Sequence, residues 1–177
     1  MSGIVAQTPR LVLRRLGAPD APFILRLLNE PGWLRFIGDK NIHTLAAAER
    51  YIVEGPMAMY ARLGFGLYLV AQQGSAEPIG ICGLIKRDAL EDVDLGFALL
   101  QDHWGRGYAR EAGMATLTHA RELGLRRIVA ILSRENDPSA RVLRSLGFVS
   151  EGEVVVPPGD KPLLLYSVNV SNPWIPP

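Results

Sequence analysis

Residues 92–132 constrain this chain more than any other stretch. An apolar run, Asp92–Leu100, meets the turn DHWGRGYAREA at 102–112, passes into an amphipathic helical run, Tyr108–Leu123, and ends in a short β-branched run, Arg127–Leu132. A strand–helix–strand crossover of this kind joins parallel neighbours in the right-handed sense. Gly105 and Gly107 let the backbone turn tightly and come close to a ligand. The helix that follows begins with unpaired amide groups and a positive dipole end. Together these make a main-chain anion site suited to a phosphate or diphosphate; an ordinary strand-to-helix turn is the plainer reading of the same residues.

The rest of the chain supplies a sheet for that unit. Arg10–Leu16 reads as a first strand, and Asp20 is placed to cap a helix through about Asn29 with Pro22 in its first turn. Residues 31–43 read as an irregular loop. Thr44 caps a helix to about Glu54, which Gly55–Pro56 should break before a helical continuation to Leu63. Leu67–Gln72, Pro78–Lys86 and Asp92–Leu100 form an antiparallel meander. In the glycine-turn helix Ala109, Ala112, Gly113, Leu117, Ala120 and Leu123 share an inner arc, and Gly124 is its stop. Asp137 caps and Pro138 opens a further helix, with Ser139, Val142, Leu143 and Leu146 as its stripe. Phe148–Val156 and Leu163–Val170 are the last two strands. Trp174 is placed to anchor the tail. The layout predicts an α/β (α+β) fold: a mixed six- to seven-stranded sheet with helices on both faces. One domain is expected over 1–177, with a core over about 9–170 and a proline-rich tail, 171–177.

Composition excludes several classes. With 48% hydrophobic and 21% charged residues the chain is globular rather than disordered. A net charge of +1 gives no bulk case for nucleic acid or a membrane surface. The single cysteine, Cys82, precludes an internal disulfide framework and lies in an apolar run, which marks it as core rather than nucleophile. His43, His103 and His119 lack metal-ligand spacing; His103 is read as surface-exposed and His119 as off its helix's inner face. There is no G-x-S-x-G and no Gly-Lys-Ser/Thr phosphate loop. No signal peptide and no bilayer-spanning run is apparent, so a cytoplasmic location is expected.

The order strand, glycine turn, helix, strand, then Asn136–Ser139 opening a second helix that closes at Leu146–Gly147–Phe148, resembles the GNAT superfamily of acyl-CoA-dependent N-acetyltransferases. The family loop reads Q/R-x-x-G-x-G/A. In the frame Trp104–Ala109 the anchors Gly107 and Ala109 match, and Trp104 replaces the Gln or Arg. The Trp-Gly-x-Gly-Tyr-Ala version and the opening PRLVLRRLGAPDA are similar to the branch that acetylates N-terminal alanine or serine of ribosomal proteins. The resemblance implies acetyl-CoA as acyl donor and an amine acceptor, and a monomer or homodimer, the Leu163–Val170 strand being available to pair at an edge. It also implies that the parallel strands splay apart and admit the pantetheine arm. Phe97, Ala98 and Leu99 would then bond the arm, and amides from Gly105 through Arg106, Gly107 and Tyr108 to Ala109 would hold the diphosphate. Arg106 and Arg110 would add charge there or serve as solvated face residues. Asn136 would bond the arm or cap its turn.

Transfer to an amine requires removing a proton. An alkyl ammonium has a pKa near about 10 and an N-terminal amine near about 8, so a base helps at neutral pH, directly or through a water. Asp94 is the first choice and Asp92 the second, both also readable as hairpin-end charges beside Glu91. A strand N–H near Phe97–Leu99 would serve as oxyanion donor. Many relatives place a general-acid tyrosine where this chain has Leu143; Ser139, or less readily Tyr108, would replace it, or solvent would protonate the thiolate. The acceptor side falls to Pro31–His43 and Val156–Lys161, with Trp33, Phe36 and Tyr60 as pocket or core residues. A non-catalytic acyl-CoA-binding module of the same fold is the alternative reading; a phosphate-ligand domain unrelated to coenzyme A is the third.

Overall fold

In the computed structural model, which describes residues 3–171, the chain forms one mixed sheet with helices on both faces. Two short strands, β1 (Ile4–Gln7) and β2 (Leu11–Arg15), lead through a 3₁₀ turn at Ala18–Asp20 into helices α1 (Ala21–Leu28), α2 (Pro31–Phe36) and α3 (Leu45–Ile52). A π-helical turn, Val53–Met57, runs on into α4 (Ala58–Leu63). Strands β3 (Leu67–Gln72), β4 (Pro78–Ile85) and β5 (Val93–Leu99) follow. Helix α5 (Tyr108–Glu122), β6 (Arg127–Leu132), α6 (Asp137–Ser145), β7 (Val149–Val154) and β8 (Leu163–Asn169) complete the order. The strands lie β1-β2-β3-β4-β5-β6-β8-β7.

Strand alternation divides the core into two layers. Tyr68 and Val70 of β3 join Leu11, Leu13, Leu117 and Leu143 on the face covered by α5 and α6. Leu69 and Ala71 join Ile24, Leu27, Ala48 and Ile52 on the face covered by α1 and α3. A strand buried on both sides carries no polar alternation, which is why β3 and β4 read as unbroken apolar runs.

The meander and the crossover have the expected order, and eight strands replace the expected six to seven. The added strand, β1, pairs antiparallel with β2 at the sheet edge. The expected loop at 31–43 contains α2, where Pro31 occupies the first turn, whose N–H groups have no intrahelical acceptor to lose. Gly55–Pro56 does not break the chain's helical course; Pro56 is buried inside the π turn. Thr44 Oγ1 accepts from the Ala47 amide as a cap should. Asp20 does not cap α1; its carboxylate pairs with Arg14 and accepts from the Gly17 amide of the 3₁₀ turn. At α6 the cap is Asn136, not Asp137: Asn136 Oδ1 accepts from the Ser139 amide at 3.2 Å. His119 is half-buried, its Nε2 3.2 Å from the Tyr68 hydroxyl, and Leu123 is exposed. The strand at 163–170 is not an edge: β8 pairs with both β6 and β7, and β7 is the exposed margin. Trp174 lies outside the described residues.

The parallel pair is short. β5 and β6 are in register only at Val93–Ile128 and Asp94–Val129. Beyond Asp94, β5 stays paired with β4 as far as Leu99, and β6 stays with β8 as far as Leu132. The two central strands therefore diverge, and a wedge opens between Leu95–Leu99 and Ala130–Leu132.

Candidate active site

The wedge is the floor of a cavity of about 830 Å³. One arm runs between Asp94–Leu99 and Ala130–Ser133 to the glycine turn, with Gly105, Gly107, Tyr108, Ala109 and Arg110 on one side and Asn136, Ser139 and Val142 on the other. The other arm opens among Trp33, Phe36, Tyr51, Met59, Ile85 and Arg87, under the Pro157–Gly159 turn. Asp94 stands where the two arms meet.

Two glycines shape the turn. Gly105 and Gly107 adopt φ of +71° and +80°, a left-handed conformation that a side chain resists. Gly107 is the residue before the first turn of α5, so the free amides of that turn point toward the cavity end. Arg10, which the sequence reading passed over, clamps the turn from β2's leading end. Its Nη1 donates to the Arg106 carbonyl at 2.9 Å, its Nε donates to Glu111 at 2.6 Å, and its guanidinium lies 4.6 Å from the Tyr108 ring centroid. Arg106 gives that carbonyl and does not line the cavity. Trp104 lines it: the indole Nε1 donates to the Leu99 carbonyl at 2.8 Å, and the ring closes on Gly32 of α2. The anchor that departs from the family pattern thus joins the turn to the acceptor arm.

Asp94 is 1% exposed. Arg87 Nε donates to its Oδ2 at 2.7 Å, while Oδ1 has no hydrogen-bond partner. Burial pushes the carboxyl up to about 6, against the lowering pull of the Arg87 guanidinium and, behind it, the Ile131 backbone amide. Asp92 is placed differently. It sits before β5, pairs with Arg127 and does not line the cavity.

Among the described residues, three buried side-chain atoms lack a partner: Asp94 Oδ1, His103 Nδ1 and Ser133 Oγ. All three residues line this one cavity. Other buried side-chain polar atoms of the described residues are satisfied, so the three exceptions fall together in one place. His103, read from the sequence as exposed, is half-buried here. Ser133 and Arg87 were missed. Ser133 directly follows β6, at the carboxyl end of a parallel strand where such folds place ligands. Arg87 is two residues past β4, whose pairing of Ile85 with Asp94 brings it to the carboxylate.

The remaining candidates fall into place around this. Phe97 and Ala98 line the diverging stretch. Asn136 spends its Oδ1 on the α6 cap and still faces the cavity. Ser139 lines the cavity one turn before Leu143. Trp33 is buried, donating Nε1 to the Gly38 carbonyl, and Phe36 is half-buried; both reach the acceptor arm. Tyr60 belongs to the core, its hydroxyl held by the Leu67 carbonyl and the Leu16 amide. Cys82 is fully buried, as expected of core. Among the described residues no group of three or more His, Cys, Asp or Glu could hold a metal ion, and no helix is long and apolar enough to cross a membrane.

Residues 10–149 match the model of the acetyltransferase (GNAT) domain. The chain is 25% identical over 150 residues to the uncharacterized N-acetyltransferase YoaA of Bacillus subtilis, covering 84% of each chain. An acetyltransferase structure from Agrobacterium tumefaciens superposes with a TM-score of 0.79 at 27% identity, over 92% of each chain. The ribosomal L7/L12 α-N-protein acetyltransferase RimL in complex with coenzyme A shares the fold at a TM-score of 0.79 and 20% identity, over 94% of this chain and 98% of that one. The chain belongs to the GNAT family of acetyltransferases, enzymes that bind coenzyme A and transfer an acyl group.

Proposed function

We propose that this acetyltransferase moves the acetyl group of acetyl-CoA to a primary amine with Asp94 as base. What carries the reading is the position of Asp94: a nearly buried carboxylate with a free Oδ1 at the last paired position of the parallel strands, where the wedge begins. The thioester arm lies along Phe97, Ala98 and Leu99, whose outward backbone groups have no β6 partner. Half of an antiparallel strand's amides point away from its one neighbour, so this edge also offers an oxyanion donor without any side chain. Amides from Gly105 to Ala109 bind the diphosphate at the start of α5. Arg110 adds positive charge at that end, and Asn136, Ser133 and His103 bond the polar atoms of the arm.

Asp94 takes the surplus proton of the ammonium, directly or through a water, and the freed lone pair attacks the thioester carbonyl carbon. A C–N bond forms and the C–S bond breaks. The amide sheds its second proton and the leaving thiolate gains one, through the Ser139 hydroxyl or solvent. A base that titrates near 6 is charged at neutral pH yet still basic enough to assist an amine.

The acceptor is a primary amine, an α-amine of a protein or a small molecule. The test is thiol release from acetyl-CoA with a panel of peptides and small amines. Turnover that vanishes in Asp94→Asn while coenzyme A still raises the unfolding temperature supports the reading. Unchanged turnover in that variant removes Asp94 as base, and coenzyme binding without turnover on any amine returns the non-catalytic module.

A further inference from the structure

The acceptor arm carries a charged pair that narrows the choice of amine. We infer that the acceptor is a free α-amino acid, its amine lying at Asp94 and its carboxylate received by Arg87. The inference rests on the transfer reading above and adds the substrate's second functional group.

Arg87 reaches Asp94 with Nε alone. Among the described residues its two Nη nitrogens have no hydrogen-bond partner, and the side chain, a little over one-third exposed, lines the acceptor arm beside Tyr51 and Ile85. A guanidinium presents its donors as a planar fork matched to the two oxygens of a carboxylate. The wall therefore shows an anion and a cation side by side, and a zwitterionic amino acid shows the inverse pair one carbon apart. The reaction strengthens the match. Each time Asp94 takes a proton it stops neutralising Arg87, which is then left without its countercharge. A substrate carboxylate on the Nη fork supplies the missing charge at that step. A peptide N-terminus or a simple alkylamine offers a neutral carbonyl or nothing there. Trp33, Phe36, Met59 and Ile85 give this arm apolar wall among the polar Glu30, Lys40 and Tyr51, so an apolar side chain completes the acceptor.

The experiment compares kcat/KM for leucine, methionine and phenylalanine with their primary amides and with leucyl peptides, at alkaline pH where the base is ionised in every variant. Amino acids should exceed their amides by roughly 100-fold or more, because a site built for a charged hydrogen bond rejects the analogue lacking it. Arg87→Gln should collapse that ratio, and Arg87→Lys should keep part of it. Using the ratio cancels any effect of the substitution on Asp94 itself. Amides or peptides used as well as amino acids overturn the inference and leave the transfer reading standing. If no amine is acetylated, the transfer reading fails, and the carboxylate site is judged by binding alone. N-acetyl-leucine, added with coenzyme A, should raise the unfolding temperature of the native chain and not of Arg87→Gln; absence of that shift in the native chain overturns the inference.

Discussion

Arg87 Nε and Asp94 Oδ2 meet at 2.7 Å across the β4–β5 hairpin, and the pair leaves one carboxylate oxygen, Oδ1, unbonded in the cavity. The guanidinium steadies the carboxylate without cancelling the effect of burial, so the group sits near 6 rather than at its ordinary 3.8.

That value sets two pH dependences of opposite sign. Catalysis needs the charged form, so kcat/KM should fall about tenfold per unit as pH drops below about 6. Stability runs the other way. A carboxyl raised in the folded state contributes stability that is fully present below its unfolded value and is lost as pH rises through about 6. The window from 3.8 to about 6 corresponds to about 3 kcal/mol at most. Asp94→Asn should thus cut turnover by roughly 100-fold or more and raise Tm by a few degrees at neutral pH, since Arg87, a little over one-third exposed, can re-solvate. Thermal unfolding and pH–rate profiles check both; an Asn variant that is inactive because it is unfolded would contradict the account.

Gly32 and Trp104 form a contact that no side chain on residue 32 can share. A Cβ there would lie 2.5 Å from the indole Cη2. Gly32→Ala should push the ring away, break its 2.8 Å bond to the Leu99 carbonyl, and cost about 1–3 kcal/mol. The KM for acetyl-CoA should rise and tryptophan emission should shift. The same change placed on Trp104→Phe should cost less; strict additivity in a double-mutant cycle would refute the coupling.

Arg10 holds the glycine turn through its bonds to the Arg106 carbonyl and to Glu111. Arg10→Met should raise the KM for acetyl-CoA by roughly tenfold, equivalent to about 1.4 kcal/mol, with kcat unchanged. Gly107→Ala should do the same more strongly, because φ is +80° and the new Cβ meets Arg10 Nη2 at 3.3 Å. Steady-state kinetics with saturating amine measures both, and a loss confined to kcat would count against a positioning role.

Cys82 should stay silent in a thiol-release assay. Burial pushes its thiol up to about 12, Thr116 Oγ1 lies 3.3 Å from Sγ, and no part of it is exposed. Thiolate is the reactive form, so labelling by a disulfide reagent should proceed only at the unfolding rate. Rapid labelling of the folded protein would show that the β4–α5 interface opens.

Much of this architecture was legible in the chain. The run Asp92–Leu132 announced a crossover whose strand and helix bounds the structure moves by a residue or two, because glycines, caps and apolar period all agreed there. Where local signals conflicted, the reading failed. Pro31–Gly32 and Gly55–Pro56 look like breaks, yet burial of Trp33 and Pro56 outweighs their weak helix propensity. Ile4–Gln7 is too short and too exposed to declare itself, and becomes a strand only by pairing with β2.

The candidate site divides in the same way. The glycine turn, the strand that leads to it and a carboxylate on that strand are local, and residue order alone determined them, since backbone conformation at Gly105 and Gly107 depends on little beyond the residues themselves. Which carboxylate is buried, which cation meets it, and which side chains lie opposite were decided by the register of β4 on β5 and by how early β6 departs. Those are long-range pairings, fixed by the packing of two core layers, and no short stretch of sequence contains the energy that selects them.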